Sequence, residues 1–346
     1  MQIRIAGKTD RDVWDKYVLQ HRDGLAYHLF AWKLAVEQSY GWRGVYLLAE
    51  QDGRVRGVLP AVDFRGLKGR SSYISLPYCD AAGPLADSPH IEDMLVEHLR
   101  TLAFPQKIPC EVRYPVAREN SPDEVQGSKV RMLLPLPDDS ASLLAGFKSK
   151  LRSQVRKPIK DGLTAQLGGA ELIDSFYTVF TRNMRDLGSP VHSRAWIESI
   201  LCHYGSQARV AIVHAPDGAV AAAGIILLHK TTVSIPWASS LQDYNRLNPN
   251  MLLYWTFLSF AADNGYVFFD FGRSTPGEGT YRFKEQWGAQ PQPLQWLHYL
   301  PGLDVPEVET GLGISFLRQM VAFCWQRLPV AWANFCGPFV RKRLSL

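Results

Sequence analysis

The chain runs through one series of elements twice, and this repeat limits its possible folds more than any other feature. In the first half, Gly44–Glu50 reads as a strand, Asp52-Gly53 as a turn and Val55–Val62 as a second strand. In the second half Ala208–His214, Asp217-Gly218 and Val220–Leu228 follow the same plan, the turns standing 217 − 52 = 165 residues apart. Asp-Gly between two β-rich runs signals a hairpin, because both residues tolerate positive φ. Next come Tyr73-Ile-Ser-Leu-Pro-Tyr78 and Val233-Ser-Ile-Pro-Trp237, aligned at Ser75 and Ser234 with an offset of 234 − 75 = 159. Helical patterns follow at Ile91–Phe104 and Met251–Asn264, then β-rich runs at Cys110–Tyr114 and Val267–Phe271. Four elements in one order at a near-constant offset predict duplicated α/β domains.

With 346 residues there is enough chain for two cores. We place the boundaries at 1–135 and 136–300, with an aromatic and basic helical tail over 301–346. The polar stretch 117–128, punctuated by Pro122 and Gly127, reads as a loop, and Asp138-Asp139-Ser140 opens a helix. Apolar residues at 46% and charged residues at 21% give the balance of a soluble globular protein. The N-terminus lacks the apolar core of a signal peptide, and no run of 18 apolar residues occurs. Five scattered cysteines without a CxxC pair fit a reduced, cytoplasmic compartment and suggest neither a disulfide framework nor a zinc site. The net charge of +5 permits an anionic substrate or partner without demanding one.

The densest chemistry lies in Phe269–Gly288, where an apolar run ends in Asp270 and Arg273, crosses a Gly/Pro loop and presents Tyr281, Lys284 and Trp287. Strand ends feeding irregular loops are where rigid scaffolds hold reactive groups. Upstream, Phe147, Leu151, Val155 and Ile159 form an apolar stripe at four-residue spacing, beside a row of Lys148, Arg152, Arg156 and Lys160. The row reads as a solvated helix face or as a holder of phosphates. Pro158 is expected to kink or stop the helix and leave Lys160 off the row. Asn248 and Asn250 read as N-caps of the second-half helix, whose exposed N–H groups also attract anions. His28, His192, His203 and His214 have no metal-ligand spacing and read as surface or core residues. There is no GxSxG elbow and no Walker loop. The tail, with Phe316, Met320, Phe323, Arg327 and Trp332, reads as a helix docked on the body or as an interfacial helix on anionic lipid.

At Phe269-Asp-Phe-Gly-Arg-Ser274 and Gly279-Thr-Tyr-Arg-Phe-Lys-Glu-Gln-Trp-Gly288 the sequence resembles the FemAB-like peptidyltransferases. More closely, it resembles the FemAB-related proteins of exosortase (PEP-CTERM) and exopolysaccharide systems. The likeness extends through Ser149–Lys157 and Leu247–Trp255 and is weaker in the first half, chiefly at Gly83-Pro-Leu-Ala-Asp87. It implies tandem GNAT-like acyltransferase domains, with mixed central sheets flanked by helices. It also implies transfer of an acyl or aminoacyl group to an amine of a cell-envelope precursor. Lys284 falls at the family's Phe-Lys position, which the resemblance makes an oxyanion stabiliser, and Asp87 falls near the acceptor amine as a proton acceptor. Two departures bear on the donor. The helical arm that long Fem transferases use for tRNA has no counterpart, and Pro158 falls where the related exopolysaccharide proteins continue the basic helix. Separately, no Arg/Gln-x-x-Gly-x-Gly loop, with which the acetyltransferase fold commonly cradles coenzyme A pyrophosphate, precedes either helix.

The expected function is therefore N-acyl transfer without a metal or tightly bound cofactor. Acyl-CoA, an acyl carrier or aminoacyl-tRNA serves as co-substrate. Lys284, Tyr281, Asp270 and Asp87 are the expected catalytic residues, with Asp270 orienting Arg273 or Lys284. Arg273, Arg152, Arg156, Lys157, Asn250 and Trp287 are expected to bind substrate. The acceptor is an amino-sugar, nucleotide-sugar or lipid-linked precursor met at the cytoplasmic side, with peripheral contact to the inner membrane and with tRNA both open. The rival reading is a non-catalytic glycan- or lipid-binding scaffold.

Overall fold

A computed structural model describes residues 1–116, 129–303, 305–308 and 316–345, so the loop expected over 117–128 lies outside the described residues. In chain order the first half holds β1 (Gln2–Ile5), α1 (Arg11–Gln20), α2 (Phe30–Tyr40), β2 (Arg43–Gly44), β3 (Leu47–Gln51), β4 (Arg54–Leu59) and β5 (Val62–Arg65). It continues with β6 (Ser71–Ile74), β7 (Leu85–Ala86), α3 (Pro89–Ala103) and β8 (Cys110–Tyr114). The second half holds β9 (Val130–Pro135), α4 (Ser140–Gly146), α5 (Ser149–Lys160), β10 (Thr164–Gly168), α6 (Ile173–Asp186) and α7 (Arg194–Tyr204). Then come β11 (Ala208–His214), β12 (Val220–His229), β13 (Thr232–Ser240), α8 (Pro249–Asp263), β14 (Phe268–Ser274) and α9 (Gly279–Glu285). The chain closes with β15 (Gln290–Pro293), β16 (Gln295–Tyr299), β17 (Glu307–Val308), α10 (Phe316–Gln326) and α11 (Val330–Arg341).

Contacts divide the chain into two units: Met1–Arg131 with Gln292–Leu312 and Lys342–Leu346, and Met132–Pro291 with Gly313–Arg341. The stretch 301–346 is thus shared between the two units. Among the described residues no helix is long and apolar enough to cross a membrane.

In the first unit, β3 and β4 form the expected antiparallel hairpin, and Asp52 and Gly53 both take positive φ (53° and 69°). Pro60 ends β4, since it has no N–H for the ladder, and the chain resumes as β5 in a different sheet. Among the described residues one sheet has the order β1-β3-β4-β7 and the other β17-β16-β8-β6-β5-β2. α3 turns Ile91, Leu95, Val96, Leu99 and Ala103 toward Leu47, Ala49, Leu59 and Val112, all buried. Gly57 permits this close approach: a Cβ there would stand 3.0 Å from both Ile91 Cγ2 and Leu95 Cδ1. The last residues of the chain dock in this unit. Ser345 O accepts from Tyr78 N at 2.6 Å and Arg113 Nη1 at 3.4 Å, and Lys342 O accepts from Tyr78 Oη at 2.6 Å.

The second unit repeats the plan on one sheet, of order β10-β11-β12-β13-β14-β9-β15 among the described residues. β11, β12 and β13 are antiparallel neighbours, and β13 pairs with β14 in parallel, as β6 does with β8. Each parallel pair is joined by a 15-residue helix with proline in its first turn, Pro89 in α3 and Pro249 in α8. α8 buries Met251, Leu253, Phe257, Leu258 and Ala261, and Gly224 of β12 admits Phe257, which a Cβ would meet at 2.9 Å. The duplication read from the sequence is thus a duplication of strand–helix–strand units.

Two local expectations need correction. α5 runs through Pro158 to Lys160 and ends at Asp161-Gly162, where Gly162 has φ 85°. Pro158 stands two residues before the helix end, and it takes the inward position expected for Ile159: Pro158 is buried and Ile159 exposed. Asn248 stands at the N-cap of α8 in the left-handed conformation, and its side chain makes no capping bond. The helix expected after Asp138 does form, and Asp139 caps it by accepting from Ser142 N at 2.6 Å.

Candidate active site

The parallel register between β13 and β14 covers Thr232↔Phe268, Val233↔Phe269 and Ser234↔Asp270, although β13 continues to Ser240 and β14 to Ser274. The divergence has a local cause. Opposite β12 the register shifts between Ile225↔Trp237 and Leu227↔Ser234, so Ile235 and Pro236 together face one residue. This is a β-bulge, which bends and twists the strand that carries it, and proline is tolerated at such a point. β13 turns away from β14 where the bulge sits.

A cleft of about 270 Å³ lies at this end of the unit. β13 contributes Ala238, Ser239 and Ser240, α8 contributes Asn250 and Tyr254, and α6 contributes Asn183. α9 closes it with Gly279, Thr280, Phe283 and Lys284. The lining is thus mostly small and hydrogen-bonding, with aromatic walls. Asn183 Nδ2 donates to Ser239 Oγ at 3.0 Å, joining α6 to β13 across it.

Lys284 is the cleft's cation. Its side chain is buried, and Nζ donates to Arg273 O at 2.8 Å and Gly272 O at 3.2 Å. A buried ammonium needs such partners to offset the lost hydration. Positive φ at Gly272 (70°) turns the backbone so that both carbonyls reach the same ammonium. Around it Tyr254 stacks on Phe271 at 5.6 Å and meets Phe283 edge-on at 4.9 Å. Burial pushes the Tyr254 phenol up, so it stays a neutral hydrogen-bonding group.

The other expected residues divide. Asn250 lines the cleft, in the first turn of α8. Asp270 is buried at the fork, where its Oδ1 accepts from Gly272 N at 2.9 Å and so shapes the turn that supplies the lysine's partners. Arg273 serves Lys284 through its carbonyl, and its side chain is half-buried. Tyr281, also half-buried, is on α9 but does not line the cleft; Tyr254 does. Trp287 is 1% exposed and packs against Phe147 at 5.5 Å, which makes it a wall of the core behind the cleft. In the basic row, Arg152 donates to Ala145 O and Phe147 O at 3.1 and 2.7 Å and so closes the end of α4. Lys157 pairs with Asp161, and Arg156 is exposed.

Asp87 belongs to the first unit, in a cleft of about 630 Å³ that Tyr17, His21, Arg22, Asp23 and Glu92 also line. Its Oδ1 accepts from Tyr17 Oη at 2.9 Å and its Oδ2 from Arg56 Nη1 at 3.1 Å. Burial and the Asp87 carboxylate together hold the Tyr17 phenol well above its usual range. Among the described residues no group of three or more His, Cys, Asp or Glu could hold a metal ion.

Sequence reasoning missed Asn183, Ser239, Ser240, Tyr254 and Thr280. A signal existed for the β13 residues: proline inside a β-rich run marks a bulge, and the residues beyond it leave the ladder. Asn183 carried none, since it reaches the cleft from a helix outside the repeat.

Residues 147–285 match the family described as "Acetyltransferase (GNAT) domain". No curated protein matches the chain in sequence. Among solved structures the chain is similar to FemX, at 14% identity and a TM-score of 0.67, over 87% of this chain and 97% of that one. It is also similar to L-PGS from Bacillus licheniformis, at 11% identity and a TM-score of 0.55, over 94% of this chain and 100% of that one. A tandem GNAT protein from the clavulanic acid biosynthesis pathway aligns at 10% identity with a TM-score of 0.52, over 88% of this chain and 99% of that one. Identities this low speak for the fold alone, and it is the fold that the FemAB resemblance implied and that agrees with the duplicated α/β domains read from the repeat. Residues 147–285 match a GNAT acetyltransferase domain, and the chain as a whole has a FemX-like tandem GNAT fold.

Proposed function

We propose that the chain transfers an acyl or aminoacyl group to an amine of a cell-envelope or exopolysaccharide precursor, in the cleft of the second unit. The acceptor nitrogen attacks the activated carbonyl, a C–N bond forms, and the tetrahedral intermediate carries its charge on the former carbonyl oxygen. Collapse breaks the donor's C–S or C–O bond, and the proton lost by the acceptor nitrogen leaves on the departing sulfur or oxygen as the thiol or the tRNA hydroxyl. Lys284 faces the developing oxyanion. A desolvated ammonium held by fixed carbonyls needs no reorganisation as that charge appears, which is why this kind of group lowers a barrier. The observation that carries the reading is the burial of Lys284 in the cleft, tied to two carbonyls of the diverging strand.

Tyr254 supplies a neutral phenol at the same cleft, the role first expected of Tyr281. Asp270 acts by positioning, through Gly272. The first turn of α8 with Asn250 is the proposed contact for donor phosphates, because helix N-termini favour anions. Arg156, exposed on α5, is a second phosphate contact in the proposal, whereas the bonds of Arg152 and Lys157 favour structural roles. Asp87, which lines the first unit's cleft and is bonded to Tyr17 and Arg56, has no part in the chemistry proposed for the second unit's cleft. The small polar lining favours a short acyl or aminoacyl group, and the absent tRNA arm favours a thioester over aminoacyl-tRNA. The acceptor is an amino-sugar, nucleotide-sugar or lipid-linked precursor met at the cytoplasmic side.

Thermal shift tests the donor. Coenzyme A should raise the melting temperature in a concentration-dependent way, as any ligand selective for the native state does. Stabilisation by RNA, lost steeply as salt rises, with no response to coenzyme A, would overturn the thioester donor in favour of tRNA.

A further inference from the structure

The two helices that close the second unit are inside out. A helix docked on a globular body ordinarily turns its large apolar side chains inward. In α11 the residues turned inward are small: Ala333 and Gly337 are buried, and a Cβ on Gly337 would meet Val191 Cγ1 at 3.0 Å. The large ones face out: Trp332, Phe335 and Phe339 are 61%, 67% and 62% exposed, and their i, i+3, i+7 spacing makes one stripe. α10 does the same. Its Ala322 sits against Gly188, where a Cβ would stand 2.6 Å from the Ala322 carbonyl oxygen, while Met320, Val321 and Phe323 are exposed. Small residues on the inner face let the helices dock tightly, and they leave an aromatic surface uncovered. Surfaces of this kind mark interaction sites.

Charge decides the partner. From Thr310 to Leu346 there is no Asp or Glu, against Arg318, Arg327, Arg341, Lys342 and Arg343. Arg327 lies on the exposed ring of Phe323, its guanidinium carbon 3.3 Å from the ring centre. A second copy of the chain would bring like charges together, whereas an anionic lipid surface complements them. Helices of 11 and 12 residues are too short to span a bilayer but suit its interface, with aromatics at the acyl boundary and basic groups among the headgroups.

We propose that α10 and α11 form an interfacial anchor that holds the enzyme on an anionic membrane surface. The inference is independent of the chemistry assigned to Lys284.

The test is cosedimentation of the full chain with phosphatidylcholine vesicles and with vesicles doped with phosphatidylglycerol. Binding should require phosphatidylglycerol, weaken with salt, and fall ~10-fold or more in the triple variant Trp332→Ser/Phe335→Ser/Phe339→Ser. These side chains are exposed, so the melting temperature should hold. Should the triple variant misfold, Arg327→Glu carries the test, and should weaken binding to phosphatidylglycerol vesicles by several-fold. Binding indifferent to phosphatidylglycerol would overturn the proposal, as would a folded triple variant that binds like the parent. So would a dimer of the parent that the triple variant dissociates while neither binds vesicles.

Discussion

Ser75 and Ser234 hold the same station in the two halves of the chain. Each makes the last backbone link between its strand and the parallel strand after the crossover helix: Ser75 N donates to Glu111 O at 2.8 Å, and Ser234 pairs with Asp270. Two residues on, Pro77 and Pro236 mark where each strand leaves its partner. The fates of the two forks differ. In the second unit the strands diverge beside a cleft with Lys284, whereas in the first the residue after Pro77, Tyr78, is bound by the end of the chain at Ser345.

The second cleft is therefore expected to be the one that takes the acyl donor. Ala238 is half-buried and lines it on β13, so Ala238→Phe adds a ring where the acyl group should sit. The expected loss in kcat/KM is ~10²-fold, since small misplacements of a reacting group cost that much. The folded state should change little, and the coenzyme A thermal shift should shrink in parallel. Activity measured with acyl-CoA and an amine acceptor checks it.

The chain end should matter for stability of the first unit. Removing residues 342–346 takes away the acceptor for Tyr78 N and one acceptor for the buried Arg113 guanidinium, which keeps Glu111, Leu76 O and Cys79 O. Leaving buried donors short of partners costs about 1–3 kcal/mol. Urea unfolding of the truncated chain should show a lower midpoint, and an unchanged one would refute the structural role.

Acid should weaken the fold through His229. Its ring is buried with neither nitrogen paired, and burial lowers its pKa from 6.5 to about 4. The native state keeps the ring neutral while the unfolded chain takes up a proton below pH ~6.5, so stability falls as pH drops from there toward 4. The loss is about 2 kcal/mol at pH 5 from this residue. His192, held well below its usual value by burial and Arg341, adds in the same direction. Denaturation of His229→Phe across this window should show a shallower pH slope than the parent.

The fold was largely legible because the repeat carries its own control: a hairpin, a strand, a helix and another strand each had a second copy to agree with. Lys284 was legible only through its motif. No spacing rule says that its ammonium bends back to the carbonyls of Gly272 and Arg273, because that depends on the left-handed turn at Gly272. The basic row was only partly legible for a related reason. Four-residue spacing places Arg152 and Arg156 on one face, but it cannot show that Arg152 is used to close the end of α4. Pro158 was expected to kink or stop α5, and the helix runs only two residues beyond it. Nor could periodicity show which way α11 faces, since Ala333 and Gly337 form as good a stripe as Trp332, Phe335 and Phe339.

The central claim is that Lys284 stabilises the charge of an acyl-transfer intermediate. The most direct measurement is the mass added to an amino-sugar precursor by the parent chain and by Lys284→Met, each supplied with acyl-CoA or charged tRNA. The account predicts an acyl adduct with the parent and a rate lower by ~10²–10³-fold in the variant, with the fold retained. A folded Lys284→Met chain that forms the adduct at the parent's rate would contradict it.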